Sequence, residues 1–97
     1  MIDIRKGIKA DAETIAAFQV TMARETEDLA LDLDTVIKGV NKILDEPARG
    51  YYLIAESEGV IIASLLVLYE WSDWRNGEVL WIHSLFVVQA HRGKGIF

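Results

Sequence analysis

The residues best suited to chemistry stand together in "VVQAHRGKGIF", from Val87 to Phe97. A strand-like apolar run passes there into Arg92, Gly93, Lys94 and Gly95. Glycines at these two positions remove side chains that would keep an anion from the backbone. They also permit the positive φ angles that point successive amides at one phosphate. Arg92 and Lys94 add positive charge. A strand followed by such a loop is how proteins commonly hold a phosphate at the start of a helix. In this sequence Phe97 is reached before any helix.

The loop needs elements to position it, and the hydrophobic period supplies them. Ile2 and Ile4 alternate with Asp3 and Arg5, which predicts a short strand with one buried face. Asp11 is expected to cap a first helix, with Glu13 at the positive end of its dipole. Ile15, Phe18 and Met22 continue at helical spacing to about Leu29 and form a core stripe. After "DLALDLD", Asp34 is expected to cap a second helix, which carries Val36, Val40, Ile43 and Leu44 on one face and ends before Pro47. From Tyr51 the period changes. "YYLIAE" and "VIIASLLVLYEW" flank "SEG", and Asn76-Gly77 leads into "EVLWIHSLFVV", so two hairpins and three antiparallel strands are predicted. The order is β-α-α-β-β-β and then the glycine loop, in one domain spanning residues 1–97.

Composition narrows the classes. With 52% hydrophobic residues, 26% charged residues and one proline, the chain is globular, and at 97 residues it buries about 60 to 65% of its unfolded surface. There is no cysteine, hence no disulfide and no thiolate metal site. The two histidines have no carboxylates at ligand spacing, so no metal is expected. The longest apolar runs, "VIIASLLVLY" and "VLWIHSLFVV", are too short to span a bilayer, and no signal-peptide core opens the chain. A net charge of −5 with scattered basic residues argues against a nucleic-acid partner. A soluble cytoplasmic protein with neither a membrane nor a nucleic-acid partner is expected.

With these elements in order, "LFVVQAHRGKGI" after a long fourth strand resembles the N-terminal part of the GCN5-related N-acetyltransferase (GNAT) superfamily. There the fourth strand ends in a hydrophobic triplet, and an Arg or Gln five residues on opens the pattern Arg/Gln-x-x-Gly-x-Gly/Ala. Leu85, Phe86 and Val87 match the triplet, Arg92 the Arg/Gln and Gly95 the first glycine. "YEWSDWRNG" and "WIHSLFV" are similar to one bacterial subgroup of the superfamily. The resemblance implies a partial acyl-CoA N-acyltransferase fold, an α+β domain with a mostly antiparallel sheet. It also implies acetyl-CoA as co-substrate, bound by Leu85, Phe86, Val87, Arg92, Gly93, Lys94 and Gly95. The triplet backbone would pair with the pantetheine arm like an added strand, and one amide would polarise the thioester carbonyl.

Two positions depart from the family pattern. Phe97 stands where Gly or Ala is usual, and fits if its ring turns into the core; Gln89 stands where proline is common. The chemistry implied is direct attack by a small-molecule or peptide amine, without a covalent enzyme intermediate, and it needs a base. Where histone-type members carry a Glu on the fourth strand, this chain has Trp81. Glu78, Glu70 and His83 are the substitutes. The acidic run Glu25, Glu27, Asp28, Asp32 and Asp34 lies where the family's first two helices wall the acceptor site, and either attracts a cationic amine or is a solvated helix end.

The resemblance covers about two-thirds of a family domain. The helix after the loop, a fifth strand and the segment that supplies a thiolate-protonating tyrosine have no counterpart in these residues. The expectation is therefore a truncated acetyltransferase that binds acetyl-CoA poorly and is weak or inactive alone. The alternative is a non-catalytic remnant that acts as an interaction module. Either way, a homodimer through the exposed fourth strand is expected, with apolar side chains from Trp81, Leu85 and Phe86 on that surface.

Overall fold

The computed structural model describes all 97 residues, Met1–Phe97. Strand β1 (Ile2–Lys6) leads through a 3-10 turn (Lys9–Asp11) into helix α1 (Ala12–Glu27), followed by helix α2 (Leu33–Asp45). Strands β2 (Gly50–Ser57), β3 (Val60–Ser72) and β4 (Gly77–Val87) come next, and a second 3-10 turn covers Gln89–His91. The four strands form one antiparallel sheet in the order β1-β2-β3-β4. The predicted order of elements is therefore the observed one, with both helices between the first two strands.

The main core lies between the helices and the sheet. Ala12, Ile15 and Ala16 of α1, Val40 of α2, and Tyr52 and Ile54 of β2 are buried together, with Val36, Ile37, Ile43, Leu44, Ile61 and Leu66 packed around them. Ile15 and Ile54 are fully enclosed, and burial of each contributes up to about 3 kcal/mol. Alanines on the inner face of α1 let its backbone approach the sheet closely. A smaller cluster of Ala55, Ile62 and Ala63 forms a second core, against which Val87, Val88 and Ile96 pack.

Helix ends differ from the sequence expectation in two places. Asp11 does not cap α1. Its carboxylate accepts two bonds from the Arg5 guanidinium (2.8 and 2.9 Å) and one from the Ile8 amide (2.8 Å). A charge-assisted, bidentate partner on β1 outcompetes a single first-turn amide. Asp32, not Asp34, caps α2: its backbone is extended and its Oδ2 accepts from Thr35 N at 3.0 Å and Thr35 Oγ1 at 2.6 Å. Asp34 falls inside the first turn instead. Helix α1 stops at Glu27 because Asp28 is left-handed, and the Leu29 amide closes back on the Ala23 carbonyl (3.1 Å).

The first hairpin turns on Glu58 and Gly59, both with positive φ, as the tight two-residue turn requires. The second is broader than "NG" suggests. Ser72 pairs with Gly77, so the loop is residues 73–76, and Asn76 alone takes the left-handed conformation, which its short amide tolerates.

Candidate functional site

Strand β4 is an edge of the sheet and is irregular where it matters. Ser64 pairs with Phe86 and Leu66 with His83, so two residues of β4, Ser84 and Leu85, face the single residue Leu65 of β3. This is a β-bulge, and Ser84 sits at φ 53°. A non-glycine residue held there costs on the order of 1 kcal/mol and persists only because the pairing on both sides dictates it. The bulge interrupts the ladder with β3, and no strand of the chain lies along the outer edge. The triplet Leu85, Phe86, Val87 thus begins where the backbone leaves its regular register.

The bulge also re-aims side chains. Trp81 and Leu85 are half exposed, as expected, but Phe86 is only 7% exposed, its ring 4.9 Å from that of Phe18 on α1. The expectation that Phe86 contributes to the exposed surface is corrected: after the extra residue its side chain shares the helix-covered face with Ser64.

Beyond β4 the chain is held first by backbone bonds. Val88 N donates to Ile62 O (2.8 Å), His91 N to Val88 O (2.9 Å) and Arg92 N to Gln89 O (3.3 Å). Gly93 (φ 77°) and Gly95 (φ 62°) then take left-handed conformations. A Cβ at either would meet no atom within 4 Å, so glycine is needed there for conformation and not for space. From Gly93 to Phe97 no backbone amide donates to an acceptor in the protein. Five successive free donors follow the strand. Ile96 turns into the second core, while Phe97 is nearly half exposed. The inward-facing role expected of Phe97 belongs to its neighbour.

The two loop cations differ. Arg92 Nε donates to Val87 O (2.7 Å), its Nη2 to Glu25 Oε1 of α1 (2.7 Å), and its guanidinium lies over the Phe86 ring at 5.4 Å. Lys94 has no carboxylate partner, so its charge is available to an incoming anion.

Residues 11–96 match the acetyltransferase (GNAT) family. The chain is a member of that family. Its fold is close to that of a possible acetyltransferase from Clostridium difficile 630, with TM-score 0.93 and 42% identity over all of this chain and 64% of the other. It also superposes on an integron cassette protein from the mobile metagenome of Cole Harbour Salt Marsh (TM-score 0.90, 19% identity, 96% of this chain and 60% of that one). A third match is a predicted acetyltransferase with acetyl-CoA from Clostridium acetobutylicum (TM-score 0.81, 19% identity, 99% and 66%). No curated protein matches the chain. The chain spans 64% of the length of the Clostridium difficile protein.

Within this GNAT domain the three candidate bases are not brought together. His83 pairs with Leu66 immediately before the bulge, on the helix-covered face of the sheet. Glu70 pairs with Val79, and Glu78 with Trp71, both near the far hairpin. Glu78 lies about 17 Å along β4 from His83. Only His83 adjoins the triplet. In the acidic run, Glu25 is bound to Arg92, Asp28 lies 3.5 Å from Arg24, and Asp32 is the α2 cap. The Thr35 hydroxyl and amide hold the Asp32 carboxyl below its ordinary range.

A cavity of about 230 Å³ lies at the opposite end of β2 and β3, lined by Lys6, Ile43 and Pro47 among others, with Tyr51, Tyr52 and Tyr69. Burial pushes the Tyr52 phenol up to about 12. The span of β3 separates this cavity from the glycine loop by roughly 20 Å, so it is not part of the same site.

Sequence reasoning missed two contributors. Glu25 reads as one of several solvated acids near the end of a helix, with nothing local to mark its distant partner. Ser84 has no glycine or asparagine signature, and a lone small polar residue between His83 and Leu85 was the only sign of a bulge.

Proposed function

We propose that this chain carries the acetyl-CoA-binding part of an N-acetyltransferase that acts on an amine of a small molecule or peptide. One observation carries the reading: a run of free amides from Gly93 to Phe97, bent by two left-handed glycines, directly after a bulged edge strand. A run of unpartnered donors in a glycine-bent loop suits a pyrophosphate, and Lys94 adds an unpaired charge beside it. The unpaired outer edge of Leu85, Phe86 and Val87 suits the amide groups of a pantetheine arm, which would add to the sheet as a strand does. Bound acetyl-CoA supplies an activated acetyl thioester. The chain orients that group along β4, and a backbone amide at the bulge is the donor for its carbonyl oxygen. His83 is the titratable side chain best placed to take a proton from the amine, directly or through water.

The 97-residue chain alone binds weakly in this reading, because the outer side of the pantetheine groove is open along β4. Calorimetric titration with acetyl-CoA tests it. Weak binding that is lost in Lys94→Glu supports the reading; equal heats for both proteins, or none with either, contradict it.

A second reading has its own observation. Leu80, Trp81, Ile82 and Leu85 of β4 are all at least half exposed along an unpaired edge. Edges of that length and polarity seek partners. A second copy of this chain, paired edge to edge, covers them. Light scattering giving a dimer mass supports this reading, and a monomer at high concentration contradicts it.

A further inference from the structure

One acidic side chain of α1 is bound, while still partly solvated, to a partner 67 residues away in the chain. We propose that Glu25 is the positioning residue of the glycine loop, acting through Arg92, and that this pair ties the end of α1 to the amides that face the anion. The proposal rests on the acetyl-CoA reading for its functional consequence, but not for the geometry.

The loop has few other supports. Residues 93–95 form no hydrogen bond within the protein, and nothing lies within 4 Å of a Cβ built on either glycine. Two anchors remain. Downstream, Ile96 is packed against Ala55, Ile62 and Ala63. Upstream, Arg92 is gripped on three sides: by the Val87 carbonyl, the Glu25 carboxylate and the face of Phe86. Phe86 in turn stacks on Phe18, so both the carboxylate and the aromatic support come from α1 or lean on it.

A guanidinium has five N–H donors in a rigid plane, and only two are used here. Fixing Nε on Val87 and Nη2 on Glu25 sets the plane of the group and leaves the remaining donors in a defined direction. The same grip sets where the backbone enters Gly93. Removing the charge on Glu25 frees the guanidinium to swing on the Val87 bond, and the entry angle of the loop becomes variable. Both side chains are about 40% exposed, so the pair is salt-sensitive and its effect is graded.

The test uses the 97-residue chain with Glu25→Gln, Arg92→Gln and the double variant. Three readouts are needed: backbone order parameters at residues 93–95, affinity for acetyl-CoA, and the thermal midpoint. Glu25→Gln lowers the order parameters and weakens acetyl-CoA by about two- to fivefold at low salt, with little change in the midpoint. The affinity gap closes near 1 M salt, where the Debye length is about 3 Å, which lost packing would not cause. In the Arg92→Gln background, Glu25→Gln adds nothing further, because the two act as one unit.

If the loop loosens but neither protein binds acetyl-CoA, the positioning role stands and the acetyl-CoA reading fails. If the loop keeps its order in Glu25→Gln, or loosens with affinity unchanged, or if the two substitutions are additive, the proposal is overturned.

Discussion

Two arginines fasten chain segments to α1, and they do so with different firmness. At the start of the helix, Arg5 of β1 grips Asp11 with two bonds and Glu56 of β2 with a third (2.6 Å), and Asp11 also takes the Ile8 amide. The Asp11 side chain is 6% exposed. Near the end of the helix, Arg92 holds Glu25 with one bond, and that carboxylate is 41% exposed. A cluster built on a buried carboxylate that takes three hydrogen bonds is part of the fold, and breaking it leaves an arginine only a third exposed and the Ile8 amide short of a partner. A half-solvated single bond is easily exchanged with water or another anion. The firm junction joins β1, β2 and α1; the soft one sits beside the amides proposed to meet a phosphate. Rigidity is concentrated where the scaffold is made, and adjustability where a ligand would arrive.

The largest expected effect is at the firm junction. Asp11→Ala removes two of the four hydrogen bonds of the Arg5 guanidinium and leaves the Ile8 amide with none, and lowers stability by about 2 to 3 kcal/mol, or roughly 10 °C or more in Tm. Thermal melts followed by circular dichroism measure this. A loss no greater than that of Glu25→Gln would erase the contrast between the two junctions.

Acid sharpens the same contrast. The Arg5 hydrogen bond, with help from the Ile8 amide and against the cost of burial, holds the Asp11 carboxyl below its ordinary range. The folded state therefore binds this proton less readily than the unfolded chain, whose value is about 3.9. The stability Asp11 contributes is complete above that value and is lost as pH falls through the lower folded value. Urea melts at pH 6 and about pH 3 show the wild type losing more stability than Asp11→Asn does over the same interval. Equal losses would mean that the carboxylate charge is not what holds the junction.

Gly95→Ala is a smaller perturbation. Its cost comes from the positive φ alone, about 1 kcal/mol, since the added methyl meets nothing. Because the loop between Arg92 and Ile96 packs on nothing, the strain is relieved locally. The expected result is a Tm almost unchanged with acetyl-CoA binding weakened about fivefold. The stability effect of Glu25→Gln is small as well, under about 1 kcal/mol by denaturant melts.

The same division explains how much could be read from the residues alone. The change of period near Tyr51 and the turn at Glu58-Gly59 are local signals, and the sheet follows them. The alternation in the first strand marked the strand but not its face, since Ile2 and Ile4 stay exposed and Arg5, drawn in by Asp11 and Glu56, is the more covered residue. Gly93 and Gly95 also announced their conformation, because few other residues accept it. Asp11 was misread because a cap and a long-range ion pair compete for the same carboxylate, and only the position of Arg5 in space decides between them. Asp32 and Asp34 are equally good caps by type, and the start of α2 chose between them. Neither Glu25 nor the bulge at Ser84 has a local signature: one depends on a residue far along the chain, the other on the register of two strands. Among the candidate bases, sequence could not rank Glu70, Glu78 and His83, because strand register alone sets how far each lies from the triplet.

The central claim is that the free amides after β4 form the anion site of this GNAT domain. It is tested most directly by titrating acetyl-CoA into the isotope-labelled 97-residue chain and following backbone amide shifts, which register even weak binding. The account predicts that the largest changes fall on Gly93, Lys94, Gly95 and Ile96, with a second group at Leu85, Phe86 and Val87. Changes centred on Lys6, Tyr51 and Tyr69 at the opposite end of the sheet, or none at millimolar acetyl-CoA, would contradict it.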